Sequence, residues 1–280
     1  MISKKPTLII HGGAGNAIAS ARALLLRKKL KVILKKVYRI LLSKGAVEAV
    51  VTSVKLMEDD PSFNAGRGSL LQRDGRARLS ASVMDGSRHL FAGVLNLEKV
   101  LNPVLVAQQL LNEKDRVLCG KEAFNYAKQH GFNLGNLKTL ESIQRWKKQQ
   151  TGCDTVGACA LDSQGNLASA TSTGGRGFER PGRVSDSGMP IGNFSTKFCA
   201  VSATGVGEEI MAEGVAVKIV TRMEDGLSIK RAFEKTFGDL KTRNRQIGAI
   251  GLDYKGNWLA HTTTESLIYG VSERDKILLF

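Results

Sequence analysis

No acidic residue precedes Glu48 in this 280-residue chain, and several other residue patterns are also missing. The four cysteines, Cys119, Cys153, Cys159 and Cys199, include no CxxC pair. Neither a metal cluster nor a disulfide framework is indicated, and reduced thiols in a cytoplasmic protein are expected. Only four histidines occur (His11, His89, His130, His261), in no triad-like arrangement. No stretch approaches the roughly 18 uninterrupted apolar residues of a membrane span. The opening MISKKPTLII is too short and too strand-like for a secretory signal. Glycines are plentiful, but no Walker or dinucleotide motif accompanies them.

What is present begins with charge. The net charge is +15, and eleven lysines and arginines stand before Glu48. Such a block suits nucleic acid or an anionic membrane surface. However, Leu26, Leu30, Ile33, Leu34, Val37 and Leu41 recur at helical spacing, giving one apolar stripe with lysines on the other face. A packed helix with a solvated basic face is the stronger reading, so neither nucleic acid nor membrane is expected as a partner. With 42% hydrophobic residues the chain can bury a sizeable core, as one large domain or two small ones.

Thr7 to Ile10 reads as a buried strand ended by a turn at Gly12-Gly13, and Ala46 to Met57 as a helix stopped before Pro61. Arg78 to Val83 and His89 to Leu97 pair as strands around Asp85-Gly86. Helices are expected over Val104 to Leu111, after Asn102-Pro103, and over Lys121 to Gln129. Residues 133 to 150 are polar and poorly periodic and read as a linker. The pattern GAxxLDxxGN then occurs twice, from Gly157 and from Gly248, each time as a strand entering a Gly-Asn turn before a second strand. Glu208 to Met223 and Ser228 to Leu240 read as helices between them. Strands, helices and strands in that order suggest a layered α+β sandwich.

The chemistry concentrates in residues 151 to 186. Thr155 opens a strand-like run, Thr171, Thr173 and Gly174-Gly175 follow, and then Arg183 and Asp186 stand three apart. A threonine hydroxyl is a weak nucleophile without a base beside it. Cutting the chain just before the threonine turns its own amine into that base. The Asp154–Thr155 bond is the candidate for such a cut, although an isolated Asp-Thr is usually a turn entering a strand.

The wider context resembles the plant-type L-asparaginase and isoaspartyl peptidase family of N-terminal nucleophile hydrolases, in wording closest to its cyanobacterial members. The resemblance runs in order through Ile10-His11-Gly12-Gly13-Ala14-Gly15, Phe63-Asn64-Ala65-Gly66, Val83-Met84-Asp85-Gly86 and Thr155-Val156-Gly157-Ala158. It continues through Thr171 to Gly175, Gly182 to Ser187 and Thr204-Gly205-Val206-Gly207-Glu208. It implies a four-layer αββα sandwich as one domain over 1–280. Self-cleavage would give an α subunit 1–154, with a linker over about 133–154, and a β subunit 155–280, assembled as (αβ)2.

The resemblance also implies roles. Thr155 is the nucleophile and its freed amine the base; Thr173 orients it; Thr204 and Gly205 form the oxyanion hole. Arg183 takes the substrate α-carboxylate and Asp186 its α-ammonium, with Gly207 and Asn64 lining the site. Those contacts select L-asparagine and isoaspartyl dipeptides. No cofactor is implied for catalysis. Backbone carbonyls of Met57, Glu58, Asp60, Phe63, Ala65 and Arg67 match a loop that holds a structural sodium ion. Two departures stand out: Asp154 where close relatives have glycine, and Arg67 where an apolar residue is usual. Asp154 keeps a glycosylasparaginase-like amidase open as an alternative, and the basic block keeps open an uncleaved anion-binding module. His11 reads as structural.

Overall fold

A computed structural model describes residues 5–152, 154–273 and 276–280. Strand β1 (Thr7–Gly15) leads into α1 (Ser20–Lys44) and α2 (Ala46–Glu58), and then the hairpin β2 (Leu79–Asp85) and β3 (Leu90–Leu97). Next come α3 (Pro103–Leu110), β4 (Val117–Cys119), α4 (Gly120–Gln129) and α5 (Leu140–Lys147). The second half holds β5 (Val156–Leu161), β6 (Leu167–Thr173), β7 (Asn193–Ser195) and β8 (Cys199–Gly205), followed by α6 (Gly207–Glu213), α7 (Val215–Glu224) and α8 (Ile229–Thr242). Strands β9 (Ile247–Asp253), β10 (Trp258–Thr262), β11 (Ser266–Glu273) and β12 (Lys276–Leu279) complete it. The molecule is α+β.

The strands form an eight-stranded sheet in the order β12-β11-β1-β5-β6-β2-β3-β4 and a four-stranded sheet in the order β10-β9-β8-β7. Helices α1, α2 and α3 pack on the larger sheet, and α7 and α8 on the smaller. The two sheets also touch each other, through Ile9, Cys159, Leu161, Ala200, Ile250 and Leu252 among others. Burial is what holds these faces together. A fully buried Leu or Ile contributes about 1.5–3 kcal/mol over its exposed state, and the six stripe residues of α1 are all buried.

The repeat forms two hairpins of one design. Asp162 accepts from the backbone N–H groups of Gln164 and Asn166 and from the Asn166 amide. Asp253 does the same with Lys255 and Asn257. The aspartate and asparagine of LDxxGN therefore clamp the turn between them.

Three sequence expectations need correction. The strand at Thr7 does not stop at Gly12-Gly13; it continues to Gly15, absorbing a register shift against β11 between His11 and Ala14. The segment read as a linker contains α5, with a capping box formed by Thr139 and Ser142. The helix expected from Glu208 to Met223 is two helices, parted by Gly214 in the left-handed region (φ 60°, ψ 43°). Among the described residues Cys119, Cys159 and Cys199 form no disulfide; Cys153 lies outside them. No helix among the described residues is long and apolar enough to cross a membrane.

Candidate active site

Thr155 immediately precedes β5, near the middle of the larger sheet, and is buried. On one flank Gly157 pairs with His11 of β1; on the other Val156 pairs with Ser172 of β6. Continuing that antiparallel register by one step sets Thr155 opposite Thr173, the last residue of β6. The Thr173 hydroxyl accepts from the Gly175 N–H at 3.2 Å. Asn64 ties this strand end to the loop after α2. Its amide donates to the Gly175 carbonyl (2.6 Å), its side-chain oxygen accepts from Leu70 N–H (3.0 Å), and its backbone carbonyl accepts from Gly174 N–H (2.9 Å).

The smaller sheet supplies the opposite wall. Thr204 of β8 is fully buried; its hydroxyl donates to the Thr155 carbonyl at 3.4 Å and accepts from Ala14 N–H at 3.2 Å. Gly205 has φ +129°, and a Cβ there would collide with the Gln246 carbonyl, so the position requires glycine. Beneath the threonine, His11 Nε2 lies 2.7 Å from Ser202 Oγ and joins the two sheets. Gly157 makes room for that contact, since any Cβ would strike both atoms. Burial lowers the His11 pKa to about 3, opposed by the nearby Thr155 backbone. The imidazole is therefore neutral and too weak a base to take a hydroxyl proton at neutral pH.

Residues far apart in sequence meet again around Gly207. A Cβ on that glycine would stand 2.5 Å from Arg183 Nη2 and 2.7 Å from Asp186 Oδ1. Asp186 is buried; Oδ1 accepts from the Ser185 hydroxyl at 3.1 Å, and Oδ2 has no hydrogen-bond partner among the described residues. Burial pushes its pKa up to about 6, with Arg183 pulling it back. Arg183 does not pair with Asp186. Its fork meets Glu208, with Nε to Oε1 and Nη2 to Oε2 both at 2.9 Å. The sequence contained Glu208 at the end of the TGVGE motif, but nothing in its spacing from Arg183 marked the pair.

Asp154 packs against Gly13, whose φ of +118° and missing Cβ let the aspartate backbone come close; a Cβ there would be 2.9 Å from Asp154 Cα. Burial raises the Asp154 pKa, and the charges of Arg145 and Arg22 oppose that.

The loop from Met57 to Arg67 is backbone-lined. The carbonyls of Met57, Asp60 and Ala65 accept turn bonds from Asp60, Phe63 and Gly68. Those of Glu58, Pro61 and Phe63 crowd over Gly66 and Gly68, where a Cβ would fill the space. Such a carbonyl cradle fits a hard monovalent ion. Arg67 is exposed, so its guanidinium does not fill the loop. The Glu58 carboxyl is buried, which raises its pKa to about 8, and its Oε1 accepts from Val104 N–H. Among the described residues no three His, Cys, Asp or Glu side chains converge as metal ligands.

A family model described as asparaginase matches residues 4–279. An isoaspartyl peptidase/L-asparaginase of Nostoc sp. is 40% identical over 297 residues, covering 98% of this chain and 93% of that protein. A protein of the same name from Synechocystis sp. is 40% identical over 273 residues, covering 90% and 83%. A plant-type L-asparaginase of Pyrobaculum calidifontis is 34% identical over 286 residues, covering 94% and 96%.

Proposed function

The chain belongs to the asparaginase family, and from that premise we propose that it is a self-processing amidohydrolase. It cleaves isoaspartyl dipeptides and L-asparagine through Thr155 as an N-terminal nucleophile and releases L-aspartate. The observation that carries this reading is the meeting of Thr155, Thr173 and Thr204 where the two sheets touch, with Arg183, Asp186 and Gly207 gathered just beyond Gly205.

In the mature protein the α-amine of Thr155 is the base. An α-amine titrates near about 7.7–8.0, so part of it is neutral at physiological pH. It takes the hydroxyl proton as Oγ attacks the side-chain carbonyl carbon of the substrate. Thr204 hydroxyl and Gly205 N–H receive the oxyanion, and donors so placed are each worth about 3–4 kcal/mol of barrier. The leaving amine departs with a proton and water hydrolyses the ester. Thr173 holds Thr155 in orientation. Arg183 grips the substrate α-carboxylate and Asp186 its α-ammonium, which leaves only the β-carbonyl within reach.

On the same reading the subunits are 1–154 and 155–280, paired as (αβ)2 in a cytoplasmic protein, and the layers form the αββα sandwich of this hydrolase class. The carbonyl loop from Met57 to Arg67 would hold a sodium ion that stiffens it without entering the reaction. Incubation with β-Asp-Leu, read as free aspartate, tests the activity; a fully cleaved, folded protein that releases none would refute it.

A further inference from the structure

Two arginines share a cavity with the Asp154 carboxyl and act on it through their charge, and both come from helices distant in the chain. Arg145 lies in the last turn of α5 and Arg22 in the first turn of α1. Gly152 marks the gap: a Cβ there would stand 2.9 Å from Arg145 Nη2 and 3.7 Å from Asp154 Oδ2. Arg22 is anchored, Nη2 donating to the Ser62 carbonyl at 3.2 Å and Nη1 lying 3.9 Å from Glu141 Oε1. Arg22, Glu141, Arg145 and Asp154, with Gln150 and Thr151, line one cavity of about 440 Å³. Across the chain from it, β1 offers Gly13. Arg145 and Glu141 from α5 and Arg22 from α1 are thus the titratable groups that face Asp154.

We infer that Arg145, carried on the helix inside the linker, is a positioning residue for self-cleavage: with Arg22 beside it, its guanidinium fixes the Asp154 carboxylate next to the scissile bond. This rests on the self-processing reading above. The step it serves balances as follows. The Asp154 carboxylate takes the Thr155 hydroxyl proton while Oγ attacks the Asp154 carbonyl carbon. The C–N bond breaks as nitrogen accepts the proton, leaving an ester. Water hydrolyses that ester to the Asp154 α-carboxylate and the free Thr155 hydroxyl and amine. Only an ionised carboxylate can start this sequence. Its burial opposes ionisation, and the charges of the two guanidinium groups offset part of that cost. The capping box of α5, and the Trp146 Nε1 bond to the Arg73 carbonyl, hold Arg145 in place. Cutting therefore waits until the linker helix has docked.

The test uses the full chain made by cell-free synthesis and moved into buffers from about pH 5 to 9, with cleavage followed by denaturing gel and intact mass. Removing a guanidinium within about 4–6 Å of a carboxyl raises its pKa by about one unit or more. Arg145→Met is therefore expected to cut about tenfold more slowly than wild type near pH 6 and to converge on it by about pH 9. Arg145→Lys, which keeps the charge, should stay within about threefold throughout. Arg22→Gln should repeat the Arg145→Met profile more weakly. In a Thr155→Ala background Arg145→Met should melt within about 2 °C of its parent, as a largely surface change does. The inference is overturned if Arg145→Met follows the wild-type profile, or if both variants are slowed equally at every pH. A wild-type chain that never cuts removes the functional reading and this inference together; a wild-type chain that cuts beside an indifferent Arg145→Met removes the inference alone.

Discussion

Replacing Asp186 by asparagine should make the protein more stable and leave it unable to hold its substrate. Burial moves the Asp186 carboxyl from its ordinary 3.8 to about 6, so the folded state binds the proton more tightly than the unfolded chain does. By linkage, stability is then undiminished below about pH 4, falls as pH rises through that interval, and carries the full cost above about 6. The displacement is worth about 3 kcal/mol. Asparagine has the same shape and no charge, so Asp186→Asn should gain up to about 3 kcal/mol near pH 8 and almost nothing near pH 3.5. For a chain of this size that is roughly 5–10 °C in melting temperature. Both proteins would carry Thr155→Ala to keep the chain whole, and stability would be read from urea unfolding at the two pH values. The same substitution in the active chain should abolish measurable hydrolysis of β-Asp-Leu, because the amide is a poor partner for an ammonium. The reasoning fails if Asp186→Asn is no more stable than its parent near pH 8, or if the gain is equal at both pH values.

Other expectations follow from the same geometry. Arg183→Lys should still self-cleave yet lose on the order of 30- to 150-fold in kcat/KM for β-Asp-Leu, since a point charge replaces a fork worth about 2–3 kcal/mol; unchanged hydrolysis would misplace the α-carboxylate. The kcat/KM profile should rise through the ionisation of an α-amine, above that of the Asp186 carboxyl near 6, and carry no step from His11, which is neutral across it; a His11→Gln variant that is folded, fully cleaved and inactive would replace the amine with an imidazole as base. Gly157→Ala should destabilise by about 1–3 kcal/mol in thermal unfolding, as its Cβ enters the His11–Ser202 contact; a neutral result would mean the sheets part more easily than their packing suggests.

Much of the fold could be read from periodicity. The stripe on α1 was visible because Leu26, Leu30, Ile33, Leu34, Val37 and Leu41 repeat along one face, and all are buried. The paired hairpins were visible because a short turn needs the same Asp and Asn each time. The repeat did not reveal that one hairpin lies in the larger sheet and the other in the smaller, since strand partners are set by long-range packing. Helix α5 was overlooked because Ser142 is its one buried residue, which leaves almost no apolar period; Thr139 and Ser142 in the capping box were the available signal. At the site, threonines and glycines stood out by their company in the sequence. The Arg183–Glu208 pair joins residues brought together only by the turn through Gly205 and Gly207, so no local spacing announced it. Arg145 was hidden for the same reason.

The account turns on whether the Asp154–Thr155 bond breaks by itself. The direct measurement is the intact mass of purified wild-type protein after prolonged incubation at neutral pH, beside Thr155→Ala. Two species corresponding to residues 1–154 and 155–280 for wild type, with the variant remaining whole and inactive, is the predicted result. A wild-type chain that stays at full length, or a Thr155→Ala chain cut at the same bond, would contradict it.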